Sequence, residues 1–379
     1  MITRREWIAM MCAAPGAAPL VRSAAAAAAP ASPVSIARCA SYDEDVTARL
    51  AAMFDQLGGL ERLVRAKTVT IKVNMTGSPG LRVRGKAPAL THYTHPKVLG
   101  ATAYLMGRAG AQRIRFVESA WASGGPLEEM MLDAGWNVRQ LIAAAPVVEF
   151  ENTNALGKHK RYARFPVPGD AYMYPAYDLN QAFEETDVFV SVAKLKNHAT
   201  CGVTLSLKNC FGNLPASIYG DDAGKDEPNE RPARGRESVG HRGTRRPPKS
   251  APQELHFGAS HDPGYRVPRI VADLAGARPI DLAVIDGVES IAGGEGPWIG
   301  GLRLVQPGVL IAGLNPVSTD AVAAAVMGYN PRTTRGAAPF RSCDNMLLLA
   351  EARGAGSADL TRIDVRGLTI EQALYRYES

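Results

Sequence analysis

Asp187–His198, DVFVSVAKLKNH, is the stretch whose reading decides the fold. Its first six residues form an apolar, β-branched run, the pattern of a strand buried on both faces of a parallel sheet. The chain then turns cationic and amide-rich through Lys194, Lys196, Asn197 and His198, and again at Lys208 and Asn209. In open α/β sheets ligands sit beyond the carboxyl ends of the strands. Three lysines, two asparagines and a histidine placed there predict an anion site rather than a packing surface.

Upstream, Thr68–Val73 (TVTIKV) reads as a second β-branched strand ending in Lys72 and Asn74. Pro96 suits the first turn of a helix over 96–108, Ala109-Gly110 closes it, and Arg113–Glu118 is the next strand. That strand, helix, strand unit builds parallel sheets with right-handed crossovers. Val34–Cys39 is expected as a short strand and Asp43–Gln56 as an amphipathic helix. Beyond an extended aromatic-rich stretch over 162–177, strands are expected at 187–192, 282–286 and 309–312, with helices near 267–275, 318–327 and 342–352. The expected fold class is α/β, with mostly parallel sheets flanked by helices, in two α/β lobes at 34–160 and 161–379. Within the second lobe, residues 220–252 carry five prolines and almost no large apolar side chain. Such a segment buries too little surface to offset the entropy of ordering and is expected to be a disordered insertion.

Residues 1–33 are set apart from the fold. Arg4 and Arg5, followed by Trp7, Ile8 and the alanine tract Ala24–Ala29, have the pattern of a twin-arginine export signal. The expected partner is the export machinery, and the expected location is periplasmic or otherwise exported. No stretch after the leader approaches the ~18 apolar residues of a membrane span, so no stable span is expected after processing. The net charge of +6 on 379 residues is divided between leader, insertion and body. A nucleic-acid binder needs a concentrated basic face, so that class is set aside.

Several short segments recur together: KLKNH (194–198), GVTL (202–205), KNCFG (208–212), IKVN (71–74), residues 109–119 (AGAQRIRFVES), Asp286-Gly287, GEGP (294–297) and Pro316–Asp320. In these the chain resembles the family catalogued as domain of unknown function 362, over roughly residues 69–328. His95 and Asn315 stand where aspartates are expected. Many relatives carry an appended ferredoxin-like iron-sulfur module. None is expected here, because Cys39, Cys201, Cys210 and Cys343 lack cluster or zinc spacing and read as buried free thiols.

The expected ligand is an anionic small molecule, bearing phosphate or carboxylate, held by Lys72, Asn74, Lys196, Lys208 and Asn209. His198, Lys194 and Asp286 are the candidates for catalysis: a proton carrier in His198 or Asp286, an amine nucleophile in Lys194. His256 and His261 are the residues through which a metal would add to His198, but no metal set is specified, and neither is a cofactor. An enzyme is one reading. Non-catalytic capture of an anion or partner, and an accessory role in a redox system, are the others.

Overall fold

The structure is a computed structural model that describes residues 29–120 and 123–378. The twin-arginine pattern and most of the alanine tract lie outside the described residues. Eight strands form one sheet: β1 (Val34–Arg38), β2 (Thr68–Lys72), β3 (Arg113–Glu118), β4 (Val147–Asn152), β5 (Val188–Lys194), β6 (Leu282–Gly287), β7 (Val309–Gly313) and β8 (Val365–Gly367). Their spatial order is β8-β1-β7-β6-β5-β2-β3-β4. Only β7 runs against its neighbours. Every residue of β5 is buried, as its unbroken apolar run requires for a central strand.

Alternation along the strands divides the core in two. On one face Ile71, Phe116, Val190, Val192 and Val284 pack under α1 (Val46–Gln56) and α2 (Pro96–Arg108). On the other, Val117, Phe189, Ile285 and Ile311 pack under α4 (Pro263–Ala277), α5 (Pro316–Val326) and α6 (Met346–Ala352). A short helix on this second face, α3 (Leu205–Asn209), follows β5 directly. Polar caps start the long helices: Asp45 for α1, Asp262 for α4 and Asn345 for α6. Pro263 at the first position of α4 starts that helix rather than preventing it.

The result is α/β with a mostly parallel sheet flanked by helices. The sheet runs across the 160/161 boundary: β2 of the first segment pairs with β5 of the second, and β1 lies between β7 and β8. Strands from the two expected lobes thus share one sheet. Residues 220–252 also depart from expectation, because they are folded onto the body. Their anchors are mainly polar. Arg236 donates to the Leu214 carbonyl at 2.7 Å and to Asn154, the Asn229 N–H donates to the Ser217 carbonyl at 2.9 Å, and Arg164 donates to the Ser250 carbonyl at 2.9 Å, while Ser238 and Arg245 bond Asp221 within the segment. Val239 is the apolar pin, fully buried. A reading that counted only apolar side chains missed these bonds.

Candidate functional site

Beyond the carboxyl ends of β2, β3 and β5 lies a cavity of about 690 Å³. It sits where the chain order in the sheet reverses, with β3 and β4 laid down on one side and β6 on the other, the usual place for a ligand in such folds. Lys72, Asn74, His198, Lys208 and Asn209, five of the eight residues singled out from the sequence, line it. Glu118, Glu295, Trp298, Arg236 and His241 also line it, as do the acids Asp221 and Glu237 and the hydroxyls of Thr76, Ser119, Thr200 and Thr204.

Lys72 ends β2 and donates to Glu118 at the end of β3, to the Val73 carbonyl at 2.7 Å and to Asn209 Oδ1 at 3.3 Å. Gly212 lies against this pair. A β-carbon there would come within 3.1 Å of the Lys72 Cε and Nζ, so glycine lets the backbone close over the ions. Burial raises the Glu118 carboxyl above its usual range, while Lys72 and the Met75 N–H pull it back. Asn209 is fixed by donating to Ser191 Oγ, 3.0 Å away, and Ser191 is the register partner of Lys72 on β5.

Lys208, half-buried one residue earlier on α3, differs from Lys72. Its ammonium lies 4.5 Å from the centre of the Phe211 ring and has no hydrogen bond or ion pair among the described residues. Burial pushes its pKa down, and the Lys72 and Arg236 charges add to that against the pull of Glu295. His198 is held by the Thr200 N–H, which donates to Nδ1 at 3.1 Å, leaving Nε2 as the nitrogen without a protein partner. Burial, and Lys208 next, keep this imidazole neutral well below its ordinary pKa. Burial opposes ionisation of Glu295, but the Ala199 N–H and the Trp298 indole N–H, each donating to one of its oxygens, hold its carboxyl below the usual range. Trp298 packs over Gly77 and Gly296, where a β-carbon would come within 2.6 and 2.3 Å of its ring.

Three expected site residues are elsewhere. Lys72 is in register with Ser191, so Lys194, three residues further on, faces the opposite side of the sheet. There its ammonium donates to Asp286 Oδ2 at 3.0 Å, the Tyr42 hydroxyl at 2.8 Å and the Ala89 carbonyl at 3.0 Å. Asp286 also accepts from the Tyr42 hydroxyl and the His95 N–H. Both charged side chains are 0% exposed, which makes this a closed ion pair in the core and not a proton carrier or nucleophile at the cavity. Lys196 is likewise buried and donates to the His92 and Glu295 carbonyls at 2.6 and 3.0 Å. Burial lowers its pKa to about 7.

Neither His256 nor His261 reaches the cavity. Both are exposed, and His261 Nδ1 bonds the Arg242 carbonyl. The histidine that does arrive, His241, lies inside the insertion. His95 and Asn315 act as helix caps, accepting the N–H groups of Lys97 and Ser318. An acceptor is all that the position needs, which explains how a non-carboxylate is accommodated there. Cys39, Cys201, Cys210 and Cys343 are buried and free. Glu118 and Glu295 were missed by sequence reasoning. An acid ending a strand beside the one that ends in Lys72 was the available signal for Glu118.

The family described as "Domain of unknown function (DUF362)" matches residues 69–325. A protein described as "Thylakoid-associated protein sll1697", from Synechocystis sp., is 27% identical over 198 residues, covering 51% of this chain and 55% of that protein. The chain thus spans about half the length of that curated relative. The family match begins in β2, ends in α5 and contains all the lining residues named above, so this chain belongs to the DUF362 family.

Proposed function

We propose that this chain is exported, binds an anionic small molecule, bearing phosphate or carboxylate, in the cavity beyond β2, β3 and β5, and acts on it as an enzyme. The observation that carries this reading is Lys208, a half-buried cation without an ion-pair or hydrogen-bond partner among the described residues. An ammonium in that state gains most from an anion, because charge-assisted bonds strengthen where water is scarce. The neutral His198 supplies an Nε2–H donor to the same ligand, and Lys72, compensated by Glu118, keeps α3 and β3 in place around it. His198 is the residue proposed to hold or move a proton, without Lys194 or Asp286.

The reading is tested by titrating the chain with inorganic phosphate and with simple carboxylates in a calorimeter. K208M is expected to weaken binding about ten-fold or more, the weight of one charge-assisted hydrogen bond. Its stability should stay within about 1 kcal/mol of the parent, since no ion pair is broken. Unchanged affinity in K208M counts against the site. A second reading, capture without turnover, is favoured by Glu118 and Glu295: both are engaged at both oxygens, so neither is a ready base. Chemical change of a bound ligand on incubation separates the two.

A further inference from the structure

The tautomers of the two cavity histidines are fixed in opposite senses. Thr200 N–H donates to His198 Nδ1, so His198 carries its hydrogen on Nε2. His241 Nδ1 lies 3.0 Å from the Arg236 carbonyl, which only accepts, so that nitrogen carries the hydrogen and Nε2 offers a lone pair. Burial lowers the His241 pKa, with Lys208 and Arg236 adding to this and the Arg236 carbonyl and Glu237 opposing, which favours the neutral ring. His241 is pinned edge-on to Phe211, whose ring also carries the Lys208 ammonium, so the acceptor and the cation share one support.

The other polar groups of the cavity can be assigned in turn. Both oxygens of Glu118 and of Glu295 are engaged. Asn74 Nδ2 donates to Thr76, and Asn74 Oδ1 is buried with no partner. Arg236 uses Nε and one Nη on Leu214 and Asn154. Donors therefore remain at Lys208, at His198 Nε2 and at the second Nη of Arg236, and His241 Nε2 remains as a neutral ring acceptor, beside the lining hydroxyls and the carboxylates of Asp221 and Glu237. A carboxylate or fully ionised phosphate offers acceptors only and leaves the His241 lone pair without a ligand partner, whereas a ligand that also brings a donor satisfies it.

We propose that the ligand is an anion that also carries a hydroxyl or amine group. Lys208 and His198 take the anionic end. His241 Nε2 accepts a hydrogen of the other group, which makes His241 a specificity-determining residue supplied by the insertion. This rests on the anion-site reading above and adds the second half of the ligand.

Two matched probe pairs test it on the full chain by calorimetry: glycerol 3-phosphate against n-propyl phosphate, and glycerate against propionate. Within each pair the anion is constant and only hydroxyl groups differ. At least one hydroxylated probe should bind about ten-fold tighter than its partner, since sites built to bond a hydroxyl reject analogues that lack it. H241F should collapse the affinity ratio within each pair, whereas K208M should weaken both members and preserve that ratio. Equal affinities within both pairs overturn this inference and leave the anion site standing. No binding by any probe overturns the anion site itself. Long-range nitrogen-proton NMR provides a readout independent of folding defects in H241F: His241 should show the Nδ1–H tautomer and His198 the Nε2–H tautomer. The reverse assignment for His241 overturns the proposal.

Discussion

Lys194 and Lys208 are the same residue type fourteen positions apart, and their surroundings give them opposite roles. Lys194 donates three hydrogen bonds and pairs with Asp286 in a dry core. Removing one member of such a pair strands the other charge without water. K194M is therefore expected to lower stability by about 3–5 kcal/mol, read from denaturant unfolding, while surviving folded protein keeps its anion affinity. A K194M protein of parental stability that has lost anion binding would return Lys194 to the site. The sequence showed that Lys194 ends a strand and that Lys208 follows it, but not which was already paired. Pairing depends on register: Lys72 lies opposite Ser191, and that one offset sends Lys194 to the other face.

At the scale of the element, α3 carries Lys208 and Asn209 yet has only five residues, too short to be stable alone. It opens on Leu205, fully buried with φ of 45°, a left-handed backbone that costs a leucine about 1–3 kcal/mol. Asp320, from α5, holds that turn by accepting the Ser206 N–H at 2.9 Å, the Ser206 hydroxyl at 2.6 Å and the Leu207 N–H at 2.9 Å. Burial raises its carboxyl to about 7. D320A should release α3, with a loss of about 2 kcal/mol in stability and a fall in anion affinity together. Parental affinity in D320A would show that α3 holds itself. In sequence Asp320 is only the end of the Pro316–Asp320 segment, because a bond to another element leaves no local trace. The insertion is a similar case: its composition was plain, but bonds such as Arg236 to Leu214 span distances in sequence that periodicity does not register.

For the whole molecule, the export reading makes a separate claim. If the Arg4-Arg5 leader directs transport of the folded chain, R4K together with R5K should leave unprocessed protein in the cytoplasm, seen as a slower band on fractionation. Normal export of that variant would end the reading. The sequence alone determined the α/β class, the six strands at or near their observed bounds, and the strand ends where polar residues gather. Those features are local: β-branched runs, caps and punctuation act within a few residues. The single eight-stranded sheet, the inward packing of 220–252 and the membership of the cavity were decided only by the tertiary structure. Each depends on which strands pair and in what register. One residue of offset moves a side chain through the sheet, and this is why Lys72 and Lys208 share a cavity while Lys194 lies behind it.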